Sequence, residues 1–352
     1  MQEEVSRQIA DMLRLKLTNE QKQRIAKKHT DNPEAYQLYL KGRHYLLKDT
    51  PEDLKQSRLY FEQAIDMDPA YALAYVGLAH YYGFMAYSGE MSPREAWPKQ
   101  EAAALRAAQL DADLDGVHNA LAALNFFHKW DWAGTEREMK RGLELNPNDA
   151  ESHSFYSVYL RTMRRFDEAI KEAKRAEELD PLAPARKSMV ALLFYYTHRY
   201  DAAEELYRQL TRSDPELPSP HLGLYNIYMK TGKEADGIAE LQKGLKLQGA
   251  DELAAALPRV YASSGFQAAK TFALREQVRL LSEASKQDYI SPISLASNYA
   301  LLGEKDKAFE WLQKSFEERT PGLIDLSLDP DYDNLRDDKR FQDLIRRINI
   351  PQ

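Results

Sequence analysis

The chain has 352 residues, more than one ordinary core supports, so several domains or an elongated repeat is expected. Apolar residues make up 43% and charged residues 29%, a folded composition, and 48 basic against 55 acidic residues leave a net charge of −7 that argues against a globally basic nucleic-acid binder. Cysteine is absent, which excludes disulfides, zinc–thiolate sites, iron–sulfur clusters and thiol catalysis. There is no apolar run of about 18 residues to span a membrane, and no apolar signal region opens the chain.

Residues 3–28 predict an amphipathic helix with Val5, Ile9, Met12, Leu13 and Ile25 at its apolar spacing. Within it Arg14, Lys16, Lys22, Arg24, Lys27 and Lys28 face one acid, Glu20, so residues 14–28 carry +5. Asn32-Pro33 ends this segment. From there a repeat takes over. The motifs Leu145-Asn146-Pro147, Leu179-Asp180-Pro181 and Ser213-Asp214-Pro215 are spaced by 34 residues, and Gly249 follows at another 34. Met67-Asp68-Pro69 opens the series, with Gly83–Ser92 holding most of a ten-residue insertion before Pro147. In the unit from Ala150, Tyr156, Ser157, Leu160, Phe166, Ala169, Ala173 and Ala176 mark the packing places. The next unit, from Pro184, puts Val190, Ala191, Phe194, Tyr200, Ala203, Tyr207 and Leu210 at the matching ones. Small residues at the eighth and twentieth places allow two helices to approach, and the proline punctuates each unit. About eight units follow, near 35–69, 70–112, 113–147, 148–181, 182–215, 216–249, 250–287 and 288–320. The seventh, with Pro258 where a helix interior is expected, matches worst. Asp329–Ile348 breaks the period and reads as a turn followed by a terminal helix.

Candidate chemistry is sparse. Asp111, Asp113 and Asp115 imitate the opening of a calcium loop, but the twelfth place is Ala122 rather than a bidentate Glu; Asp329, Asp331 and Asp333 fail likewise at Arg340. His118, His153 and His221 share the fourth place of their units and read as packing residues. Rows about 10 Å apart are too far for one metal with bonds of about 2.1 Å. Trp132 falls on a packing place, whereas Trp130 is open between packing and an exposed contact. No phosphate loop or hydrolase motif is present, and acid pairs such as Glu204-Glu205 are adjacent on a helix and point apart. The chain is read as no enzyme, with no cofactor and no metal.

The 34-residue units resemble tetratricopeptide (TPR) repeats over nearly all of 35–320. The segments EVSRQIADMLRLKLT, NPEAYQLYLKGRHYL, YFEQAIDMDPAYALAYVGLAHYY, WDWAGTEREMKRGLELNP, LGEKDKAFEWLQKSFEER and LRDDKRFQDLIRRI are similar to the C-terminal arrays of bacterial membrane-anchored regulators. In that family a kinase, adenylate-cyclase or winged-helix domain precedes a membrane helix and the array; neither an effector motif nor a membrane helix is found in this sequence. The resemblance implies an all-α, right-handed α-solenoid of about eight helix pairs. Residues 1–31 form an N-terminal helical segment, 32–320 the array and 321–352 a C-terminal capping helix. It also implies a concave groove lined by the first helix of each unit, here by Arg43, His80, Asn119, Ser154, Arg161, Ser188, Tyr195, Tyr196, Asn226 and Lys230. The Lys/Asn/Asn/Lys/Arg set that grips a C-terminal carboxylate in chaperone-tail arrays is not reproduced.

The expected function is non-catalytic protein or peptide binding, as a scaffold or the sensing part of a signalling protein, with no nucleic acid as partner. A polar, aromatic and mildly basic groove suits an extended peptide with some negative charge. Alternatives are self-association into a homo-oligomer, a small-ligand sensor lined by Tyr195, Tyr196, Tyr225 and Tyr228, and nucleic-acid binding through 14–28. The chain is read as soluble, cytoplasmic as it stands or extracytoplasmic if it is the outer part of a membrane-anchored regulator.

Overall fold

Asn32 and Pro33 begin helix α1 (Pro33–Leu46). The Asn32 side chain accepts from the Glu34 and Ala35 N–H groups, and Pro33 occupies a first-turn position that needs no donor. The computed structural model describes residues 29–48 and 50–350, so the expected helix over 3–28 and its basic stretch lie outside the described residues. Helix α2 (Pro51–Met67) ends at Asp68, before Pro69. Helices α3 (Ala72–Ser88) and α4 (Pro93–Leu110) are 17 and 18 residues long, against 13 and 14 in the unit that starts at Ala150. The insertion seen in the sequence is thus taken up by longer helices.

Helix α5 (Asp115–Ala123) runs into a π-helical turn, Leu124–Lys129, closed by Trp130 in the left-handed region at φ 55°. α6 (Trp132–Leu145) is capped by Asp131, whose carboxylate accepts from the Gly134 N–H at 2.9 Å. Then follow α7 (Ala150–Thr162), α8 (Phe166–Leu179), α9 (Pro184–Tyr196), α10 (Tyr200–Ser213), α11 (Pro218–Thr231) and α12 (Glu234–Leu247). The seventh pair is one element, α13 (Asp251–Ala284), broken at Gly265 with φ 79° and ψ −179°. Only glycine takes that conformation readily, so Gly265 replaces the usual turn between the two helices. α14 (Pro292–Leu301) and α15 (Lys305–Glu318) form the eighth pair. Two short 3-10 helices, Pro321–Asp325 and Pro330–Leu335, then lead to α16 (Lys339–Ile348).

The chain divides into two compact units, one comprising the described residues up to Tyr81 with Ala103–Ala112, the other Tyr82–Ala102 with Asp113 onwards. In the first, Phe61 is fully buried, and a Cβ on either Gly42 or Gly77 would strike its ring. In the second, the eighth-place Ser157 donates its hydroxyl to the Ala169 carbonyl at 2.9 Å, and a Cβ on Gly223 would lie 2.5 Å from the Tyr207 ring. Side-chain volume at these places sets how closely adjacent helices pack. The second unit holds a cluster from Ala86 through Tyr228 and a C-terminal one in which Ala296, Leu312, Leu335, Phe341 and Ile348 are buried.

Trp130 joins the C-terminal cluster rather than the surface. It is 8% exposed, its ring lies 5.2 Å from that of Phe316, and the Arg319 guanidinium sits 3.6 Å from its ring centre. The left-handed backbone after the π turn carries it there. Trp132 is partly buried, and its indole N–H donates to the Asn349 carbonyl at 2.7 Å. Among the described residues no helix is long and apolar enough to cross a membrane.

Replacing Gly223 by Val should lower stability by about 1–3 kcal/mol through overpacking against Tyr207. Urea unfolding followed by circular dichroism measures this; an unchanged midpoint would refute the close-approach account.

Candidate functional site

The ends of three consecutive first helices, α7, α9 and α11, supply a row of side chains at equivalent places: Arg161, then Tyr195 and Tyr196, then Lys230. The repeat puts them there, because places twelve and thirteen of successive units fall on one surface of the array. What they meet is the chain's own segment 321–335. Arg161 is 4% exposed, and its Nη2 donates to the Asp325 carboxylate at 2.5 Å. The same guanidinium lies 5.5 Å from the centre of the Tyr196 ring. Arg164, in the left-handed turn after α7, donates to the Ser327 carbonyl at 3.2 Å, and Lys230 approaches the Asp333 carboxylate at 3.8 Å.

This strap has two sides. Its apolar residues Leu323, Leu326, Tyr332 and Leu335 are buried with α14, α15 and α16. Asn334 donates to the Ala300 carbonyl at 2.6 Å, and Arg336 ties the strap to itself through the Ser327 and Asp329 carbonyls at 2.6 and 3.0 Å. Its acidic side carries Asp325, Asp329, Asp331 and Asp333. Burial pushes the Asp329 carboxyl up to about 7, helped by the charges of Asp331 and Asp325 and opposed by the Asp331 N–H bond and Arg336. Burial raises Asp331 as well, against the pull of Lys270 and Lys230. Burial, followed by the nearby aspartates, also raises the Tyr196 hydroxyl. At Arg161 burial works against the charge, but Asp325, Tyr196 and Tyr87 outweigh it and hold the guanidinium protonated.

The sequence-derived groove residues therefore separate. Arg161, Tyr195, Tyr196 and Lys230 come together around the strap. Asn119 and Ser154 sit in contacts between repeats: Asn119 Nδ2 donates to Ser152 Oγ at 2.7 Å, and Ser154 Oγ accepts from Arg186 Nη1 at 2.9 Å. Ser188 is half-buried on α9 and Asn226 is exposed on α11. Arg43 and His80 belong to the other unit; both are exposed, and the Arg43 guanidinium lies 6.0 Å from the Tyr39 ring centre.

Sequence reasoning placed the fourth-place histidines in packing but missed their partners. His118, His153 and His221 meet Glu138, Glu172 and Glu240 at 2.8, 2.5 and 2.5 Å. The spacing is 19 residues in two pairs and 20 in the first, where the π turn adds a residue. The hydrogen bond that the His153 ring donates to the Glu172 carboxylate raises the His153 pKa, against burial. Glu recurring 19 or 20 residues after each of these His was visible in the sequence. The strap's destination was not. Among the described residues no group of three or more His, Cys, Asp or Glu side chains is placed to hold a metal ion.

The helix pairs superpose on yeast Tom70 with a TM-score of 0.52 and 18% identity, covering 90% of this chain and 68% of that one. The fold is that of a tetratricopeptide-repeat array. A monomeric IFIT1 mutant solved with Gppp-AAAA gives a TM-score of 0.51 at 14% identity, over 81% of this TPR chain and 71% of its own. No family model matches the sequence. Among curated proteins, the transcriptional regulator HilA of Salmonella typhimurium and that of Salmonella typhi are each 28% identical over 186 residues, 52% of the TPR chain. The chain spans about a third, 34%, of the length of these relatives.

The raised Asp329 gives the strap a pH dependence. A carboxyl raised in the folded state stabilises fully below its unfolded value, and that contribution is lost as pH rises through about 7. Amides of 325–333 should therefore be less protected from hydrogen exchange at pH 8 than at pH 5, after correction for intrinsic rates. Asp329→Asn should restore protection at pH 8 and change little at pH 5. Identical protection in the two proteins at both pH values would count against this role for Asp329.

Proposed function

We propose that this TPR array is a non-catalytic interaction module that holds extended, acid-bearing segments of protein along the first helices of its middle repeats. One observation carries the reading: α7, the turn after it and α11 already hold such a segment, the chain's own residues 321–335, through Arg161, Arg164 and Lys230, with the Tyr196 ring of α9 against the Arg161 guanidinium. The mode is general for groove recognition. Aromatic and cationic side chains at repeating intervals take up an irregular chain, and charge complementarity sets its preference. The TPR fold shared with Tom70 is compatible with a protein-interaction scaffold.

A second reading comes from the likeness to HilA: the array acts as the sensing portion of a transcriptional regulator, reporting occupancy of this surface to an effector. Replacing the matching 186-residue segment of HilA by that of this chain should preserve transcriptional activation, and a dead chimera that still folds would weigh against it.

For the first reading, fluorescence anisotropy with labelled acidic and basic peptides provides the test. Acidic peptides should bind better than basic ones, and affinity should fall as salt rises. Lys230→Glu should weaken capture about two- to fivefold, the scale of one exposed ion pair. Binding that ignores peptide charge, salt and Lys230→Glu would overturn it.

A further inference from the structure

The strap's two sides are held differently. The side facing α14–α16 is apolar and buried. The side facing α7 and α11 rests on two ion pairs and one carbonyl bond: Arg161–Asp325, Lys230–Asp333 and Arg164 to Ser327. This second side is imperfectly satisfied. Arg161 Nε and Ser327 Oγ are buried without a hydrogen-bond partner among the described residues, an unfavourable arrangement for each. Asp329 and Asp331 are half-buried beside one another and the exposed Asp333, with Lys230, Lys270 and Arg336 as the cations facing them. Closing the strap onto α7–α11 thus replaces hydration of several charges by a few ion pairs, an exchange that gains little. A competing acidic segment can make the same contacts.

We propose that the strap is a self-ligand: it occupies the acid-binding row of α7, α9 and α11 in cis and is displaced by an acidic extended segment of a partner protein, so that the row is autoinhibited until such a partner arrives. The inference rests on the peptide-binding reading above and adds to it the regulation of the same surface. The chemistry sought in the partner is that of the strap, with aspartates a few residues apart on an irregular chain and intervening apolar residues. The strap's in-built linkage gives it a high effective concentration, so a free partner must out-compete an intramolecular contact.

The probe is a labelled peptide spanning 320–337, added in trans to the full chain and to Asp325→Asn/Asp333→Asn. The double variant should expose the amides of 325–333 to faster hydrogen exchange and bind the peptide at least tenfold more tightly than the unaltered chain. The peptide carrying Asn for Asp at the same two positions should bind that variant at least tenfold more weakly. Equal, measurable affinity for both proteins leaves the binding surface standing and overturns the self-ligand. No binding to either protein while the strap amides exchange faster removes the binding surface itself. Unchanged exchange means the apolar side alone holds the strap, and the inference fails. Should the double variant lose its helical circular-dichroism signal, Asp333→Asn alone, which touches only an exposed pair, takes its place with an expected gain of about two- to fivefold.

Discussion

Everything in this molecule depends on helices being allowed to approach closely at a few small-residue places in each repeat. Gly42, Ser157 and Ala191 hold the eighth place and Gly77 and Gly223 the sixth, and the rings of Phe61 and Tyr207 lie against these three glycines. A helix pair packed in this way still leaves an apolar face uncovered, because two helices of 13 or 14 residues cannot bury both sides. The next pair must cover it, and stability accumulates by neighbours. Neighbour packing of this kind holds the array's length without a disulfide, for which the sequence has no cysteine.

Close packing fixes distance but not register, and register is set by polar contacts between repeats. Glu136 takes Arg165 of the following unit at 2.8 Å and accepts from the Tyr156 hydroxyl at 3.1 Å; Glu204 takes Lys233 at 3.0 Å and accepts from Tyr228 at 3.3 Å. Glu136 and Glu204, and likewise Arg165 and Lys233, are equivalent positions two units apart. Burial acts against the Glu136 charge, but Arg165 and Lys140 prevail and hold its carboxyl down at about 2. The His–Glu pairs do the same work between the two helices of one unit. Where the pattern lapses, another contact replaces it: Arg199 lies 4.2 Å from the Phe194 ring centre, in the place that Arg165 and Lys233 fill with ion pairs.

The last 30 residues follow a different logic. After α15 the period ends, Arg319 turns the chain through a left-handed residue, and the strap returns to repeats that precede it by more than 100 positions. Its leucines complete the C-terminal core and its aspartates complete an ion-pair row. A repeat array built only from neighbours thereby acquires a long-range closure, and a groove surface becomes an internal interface. The partial burial of Asp329 and Asp331 there works against their charge, which makes this contact sensitive to pH and salt.

The sequence alone determined the repeat, its period, the proline punctuation and the small eighth-place residues, because each depends on residues within one 34-residue unit. The eight units read from it correspond to the observed helix pairs, even at Pro258 and Gly265, where the pattern is weakest. Only the tertiary structure decided what the first-helix row touches. Asp325 lies 164 positions from Arg161, and no local periodicity encodes so distant a pairing. The same holds for Trp130, whose burial depends on Phe316 and Arg319, and for Asn119 and Ser154, drawn into contacts between units. Short-range packing rules can be read from a sequence, but the partner of a surface is fixed only when the chain has folded back upon it.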